Sequence, residues 1–136
     1  MNRKLNCILL IDDNEHDNFL HERTINKLCC TKKVVTLEKA TDALEYLKGG
    51  NPKPDLIFLD INMPGMDGWE FLKHYEQLEE DSQGEVVIVM LTTSINPGEE
   101  ERSKTVNSIR DFINKPLTAE VIESVLSKYF TDYDAL

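Results

Sequence analysis

Residues Asp55–Gly68 read Asp-Leu-Ile-Phe-Leu-Asp-Ile-Asn-Met-Pro-Gly-Met-Asp-Gly, and this stretch decides the fold. The apolar run Leu56-Ile57-Phe58-Leu59 drives straight into an acid, Asp60. Turn residues follow at once: Asn62, Pro64, Gly65, Asp67 and Gly68. Four consecutive apolar residues closed by turn signals read as a strand buried on both faces. Asp60 then ends a central strand, at the sheet edge where open α/β folds place their chemistry.

Toward the N-terminus, Leu5–Ile11 is a second continuous apolar run, again closed by acids, Asp12 and Asp13. Asn14–Leu28 follows as a helix, with Phe19, Leu20, Ile25 and Leu28 expected on its inner face. Lys33–Leu37 has the β-branched content of a short strand. Thr41 is a good N-cap for a helix over Asp42–Lys48, stopped by Gly49-Gly50. Pro52 and Pro54 mark the loop into the Asp60 strand.

Beyond Gly68, Trp69–Glu80 has helical spacing through Trp69, Leu72, Tyr75 (or Glu76) and Leu78, and Asp81–Glu85 is a polar turn. Val86–Leu91 is a third apolar strand, ending in hydroxyls at Thr92, Thr93 and Ser94. Pro97–Ser108 is helical by position but has one clear apolar anchor, Val106, so a short or mobile helix is expected. Ile109–Ile113 is a last strand before Lys115-Pro116, and Thr118–Phe130 is an amphipathic helix. Five strand–helix units in one domain imply a doubly wound parallel sheet of flavodoxin-like topology, order 2-1-3-4-5. That order sets Asp12-Asp13 beside Asp60.

The length, 136 residues, suits a single domain, here residues 1–136 with a core over 5–130. A formal charge of −10 argues against a nucleic-acid surface. No apolar run is long enough to span a membrane, and Leu5–Ile11 is too short for a signal peptide. A cytoplasmic location is the expectation. Cys7, Cys29 and Cys30 are odd in number and lack metal-binding spacing, so they read as small apolar residues of a reducing compartment. His16, His21 and His74 also lack such spacing and are expected on solvated helix faces, with Trp69 in the core.

Clustered carboxylates repel: at 4 Å a like-charge pair costs roughly 1 kcal/mol in water and about 4 at an effective dielectric of 20. A hard divalent cation such as Mg²⁺ relieves this and also accepts phosphate oxygens. An Asp beside such a cation can act as a nucleophile and form an aspartyl-phosphate. A lysine ammonium and a small hydroxyl near the same edge complete the set for phosphoryl transfer, and Lys115 and Thr92 supply them.

Taken together, Ile-Asp-Asp at 11–13, Leu-Asp-Ile-Asn-Met-Pro-Gly-Met-Asp-Gly at 59–68, Met-Leu-Thr-Thr-Ser at 90–94 and Phe-Ile-Asn-Lys-Pro at 112–116 resemble the receiver domains of two-component response regulators. The resemblance covers Leu5 to about Phe130. It implies that Asp60 accepts phosphate from a phosphohistidine of a histidine kinase or histidine phosphotransfer protein. It implies Mg²⁺ ligation by Asp13, Asp60 and the Asn62 backbone carbonyl, with Asp12 holding a metal-bound water. Thr92 and Lys115 would contact phosphoryl oxygens, Phe112 would be the switch aromatic, and Lys115-Pro116 would be cis. Whether Thr92 or Thr93 faces the site is a matter of one residue of register, with Thr92 preferred.

Two departures stand out. Thr93 is larger than the very small residue usual after this hydroxyl, which implies restricted access to the phosphoryl group. Asn107-Ser108 replaces the usual Gly-Ala, next to the polar segment Glu99–Lys104, on the face that chooses partners in the family. The rival readings are a phosphorylation-independent interaction scaffold, a small hydrolase and a flavin-binding domain. The complete acid, hydroxyl and lysine set argues against the first. Asn62, where a second acid is wanted, argues against the second, and Asp12-Asp13-Asn14-Glu15 in place of a phosphate loop argues against the third. Thr131–Leu136 reads as a short acidic tail, so the output is expected to act through a downstream protein, unless the chain is a fragment.

Overall fold

The computed structural model describes residues 5–49, 51–78, 86–93, 97–106 and 108–130. The expected turn at 81–85 and the tail at 131–136 lie outside the described residues. The elements are β1 (Ile8–Ile11), α1 (Glu15–Leu28), β2 (Val34–Leu37), α2 (Ala40–Lys48) and β3 (Leu56–Asp60). They continue with α3 (Gly68–Glu76), β4 (Val87–Thr92), α4 (Pro97–Lys104), β5 (Ile109–Asn114) and α5 (Ala119–Tyr129). The five strands form one parallel sheet in the order β2-β1-β3-β4-β5. This is the doubly wound arrangement that the apolar strands and their intervening helices dictate.

Period-two alternation divides the strand side chains between two cores. Leu9, Ile11, Ile57, Leu59, Ile88 and Met90 pack with the inner faces of α2 and α3. Ile8, Leu10, Leu56, Phe58, Val89 and Leu91 pack against Ile25 of α1 and Ile122, Val125 and Leu126 of α5. Every residue of β1 and β3 is buried, because helices cover both faces.

Local chemistry sets most helix ends. Asn14 caps α1 by accepting from the Asp17 amide, and Thr118 caps α5 by accepting from Val121. Asp67 caps α3 through the Glu70 amide, so the helix starts at Gly68, one residue before the expected apolar start at Trp69. The first helical residue there must be Gly68: a Cβ would stand 2.8 Å from the Asp60 carbonyl oxygen and 2.9 Å from Met90 Cε. α2 begins at Ala40 with Lys39 as its N-cap and no side-chain cap bond, so Thr41 is not the cap. α4 is short, as its polarity implies; it buries Ser103 and sets the Arg102 guanidinium 4.5 Å over the Trp69 ring.

The inner face of α1 departs most from expectation. Its buried residues are Asn18, His21 and Ile25, whereas Phe19 is 59% exposed and Leu20 40% exposed. The reason is hydrogen bonding. The N-terminal half of α1 packs over loop backbone, where buried polar groups need partners. Asn18 Nδ2 donates to the Asp12 carbonyl at 2.8 Å, and His21 Nε2 accepts from the Leu117 amide at 3.3 Å. His21 is therefore a buried structural histidine, not a solvated one; His16 and His74 are exposed as expected. All three cysteines are free, with Cys7 and Cys30 buried. Cys29 is exposed at the left-handed C-cap of α1, φ 53°, so it is not a core residue.

Candidate functional site

Strand register builds the site. Ile11 pairs with Leu59, so the next residues, Asp12 and Asp60, leave neighbouring strands side by side and on the same face. Asp12 is anchored by its amide on the Leu37 carbonyl, and its Oδ1 accepts from the Asn14 amide at 2.9 Å. Thr92 pairs with Asn114, and the Lys115 amide donates to the Thr92 carbonyl at 2.7 Å, bringing Lys115 to the same edge. By alternation Lys115 shares the face of Ile113, toward α1 and α5.

The resulting polar cavity measures about 450 Å³. Asp12, Asp13, Asn14, Asp60, Asn62 and Thr93 line it, with Asp17 and Lys115. Carboxylate oxygens of Asp12, Asp13 and Asp60 lie within 4.8 Å of one another. Asp12 and Asp60 are buried and Asp13 is exposed. Lys115 Nζ sits 2.5 Å from Asp12 Oδ2, 3.0 Å from Asp17 Oδ2 and 3.2 Å from Asp60 Oδ1.

The electrostatics follow from this crowding. Burial, with the charge of Asp12 added, pushes the Asp60 carboxyl up to about 6, even though Lys115 pulls it down. Burial alone would lower the Lys115 ammonium; its hydrogen bonds to Asp12 and Asp17 and the charge of Asp60 outweigh this and raise it. The ammonium stays protonated, and burial makes the charge on Asp60 costly. Three oxygen donors converging on an open cavity fit a small hard cation, which would offset the burial and the like charge that raise the Asp60 carboxyl.

Thr92 and Thr93 part at the end of β4. Thr93 is exposed and lines the cavity, whereas Thr92 is 2% exposed and belongs by alternation to the face of Met90 and Phe112. The wall position expected for Thr92 is thus occupied here by its neighbour. Phe112 is half-buried against the core that contains Trp69. The Lys115-Pro116 bond is cis. Sequence reasoning missed Asp17; its signal was its place in the first turn of α1, four residues beyond Asp13.

The family model of the response regulator receiver domain matches residues 8–127. The chain belongs to the response-regulator receiver family. This receiver is 34% identical over 121 residues to the two-component response regulator 24 of Arabidopsis thaliana, covering 88% of this chain and 81% of that one. It is 30% identical over 125 residues to part of the sensor histidine kinase CheAY of Helicobacter pylori, covering 89% of this chain and 14% of the kinase. The solved structure of a two-component response regulator from Cytophaga hutchinsonii superposes with a TM-score of 0.84 at 27% identity, covering 93% of this chain and 97% of that one. The receiver is a phosphoacceptor signalling domain of two-component systems and not a conventional enzyme. Among the described residues no helix is long and apolar enough to cross a membrane.

Proposed function

We propose that Asp60 is the phosphoacceptor of this receiver. The observation that carries it is the buried Asp60 carboxylate beside Asp12, Asp13 and Lys115, in the lining of an open polar cavity. Mg²⁺ is the cation we assign to Asp12, Asp13, Asp60 and the Asn62 backbone carbonyl. When bound, it would neutralise the carboxylates and the incoming phosphoryl oxygens.

The chain's own residues do the rest. An Asp60 oxygen attacks phosphorus in line; the P–N bond of a phosphohistidine breaks, and its electron pair returns to the imidazole. Lys115, already 3.2 Å from Asp60 Oδ1, neutralises charge on the transferred group. The Thr92 hydroxyl then turns toward the phosphoryl oxygens from its buried start. That movement opens space on the face shared with Phe112, which fills it and biases the packing of α4 and β5.

The donor is a histidine kinase or histidine phosphotransfer protein. The relationship to part of a sensor histidine kinase supports this, as do the exposed Phe19 and Leu20 on α1, the helix that borders the cavity. The α4–β5–α5 surface selects a downstream target, and a cytoplasmic location follows from the donor class. The test is transfer from a phosphohistidine-bearing kinase domain with Mg²⁺ or with EDTA. Label should reach the protein only with Mg²⁺, and Asp12→Asn should raise the Mg²⁺ concentration required. Equal labelling in EDTA would remove the metal from the reading. Phosphorylation-independent scaffolding would be favoured if no donor labels the protein.

A further inference from the structure

The acids around Lys115 do not all have the same task. Asp12, Asp13 and Asp60 converge within 4.8 Å, and Asp17 is not among them. Asp17 reaches the ammonium from α1, with its Oδ2 3.0 Å from Lys115 Nζ and its side chain 27% exposed. An ammonium has three N–H groups. Here three carboxylates, Asp12, Asp17 and Asp60, surround it.

The backbone that carries Asp17 is held in place. Its amide donates to the N-cap Asn14, which fixes the first turn of α1. One turn on, at the i+4 position, His21 accepts the Leu117 amide. α1 therefore grips the β5–α5 connection on both sides of Pro116, by charge at Lys115 and by a hydrogen bond at Leu117.

We infer that Asp17 is a positioning residue that competes with the phosphoryl group for Lys115. This rests on the assignment of Asp60 as the phosphoacceptor. Esterification of Asp60 removes one of the three negative partners of Lys115 and replaces it with a phosphoryl group bearing more charge. The ammonium must reorient toward that group, and Asp17 pulls it back toward α1. Asp17 also places its own negative charge near the incoming anion. Both effects weaken the phosphorylated state, so Asp17 sets how firmly the switch closes rather than taking part in bond making.

The experiment is calorimetric titration of the Mg²⁺-loaded protein with beryllofluoride, a phosphoryl mimic. Asp17→Asn, which keeps the shape and removes the charge, should bind beryllofluoride about three- to fivefold more tightly, the scale of one partly exposed ion pair. Asp17→Ser should shift in the same direction. Asp17→Glu, which keeps the charge, should stay near wild type. Glu15→Gln removes an equal charge from the same helical turn and should shift affinity by less than about twofold. Unchanged or weaker binding by Asp17→Asn would overturn the inference, as would an equal gain in Glu15→Gln. Wild-type protein that binds no beryllofluoride would instead overturn the Asp60 assignment on which it stands.

Discussion

Asp60 is kept in a costly state. Its folded pKa of about 6 lies above its ordinary value of 3.8, so the folded chain binds more protons than the unfolded one between those values. Ionisation of Asp60 therefore subtracts stability as pH rises through that window, and the full cost stands above it. At 1.36 kcal/mol per pKa unit the cost is about 2–3 kcal/mol. Asp60→Asn should accordingly be more stable than wild type by roughly that amount in urea unfolding at neutral pH with EDTA. The difference should vanish below about pH 4 and shrink when Mg²⁺ is added. A less stable Asp60→Asn at neutral pH would mean that Lys115, not crowding, dominates the site. Thr93 belongs to the same scale. It stands on the cavity wall where a smaller side chain would admit water. Thr93→Ala should shorten the phosphoryl lifetime severalfold in a dephosphorylation time course; equal lifetimes would show that its bulk does not limit access.

At the scale of elements, α1 shows where pattern reading fails. Apolar spacing put Phe19 and Leu20 inside, but this helix covers loop backbone at its N-terminal half, and polar residues win there. Asn18 and His21 serve the Asp12 carbonyl and the Leu117 amide. Burial holds the His21 imidazole below its usual pKa, against the charges of Asp17 and Asp12. The unfolded chain therefore binds more protons near pH 6, so the stability that His21 contributes is present above about pH 6.5 and is lost on acidification. His21→Gln offers an acceptor oxygen that does not titrate. The gap between wild type and His21→Gln in unfolding free energy should move against wild type from pH 7 to pH 5. A constant gap would show that the imidazole does not sense the change. The start of α2 at Ala40 likewise escaped reading, since Lys39 gives no side-chain cap to find. By contrast β1, β3 and β4 were plain, because burial on both faces leaves an unbroken apolar run in the sequence.

At the scale of the molecule, the architecture was legible because each buried strand advertises its own end. Ile11, Leu59 and Thr92 are followed or preceded by polar groups that only a sheet edge accommodates, and the 2-1-3-4-5 order brings those edges together. Asp12, Asp13, Asp60 and Lys115 were readable for that reason and meet in one cavity. Asp17 carried only a weak signal, its place in the first turn of α1, because its partner lies 98 positions away and the packing of α1 against the β5–α5 connection makes the contact. The choice between Thr92 and Thr93 was equally closed to the sequence, since a single step along a strand end exchanges buried and exposed faces. The central claim is that these distant residues form one pit whose buried acid becomes esterified. Mass spectrometry after incubation with a small acyl-phosphate donor and Mg²⁺ tests it most directly. Wild-type protein should gain the mass of one phosphoryl group and Asp60→Asn none; a phosphorylated Asp60→Asn protein would contradict the account.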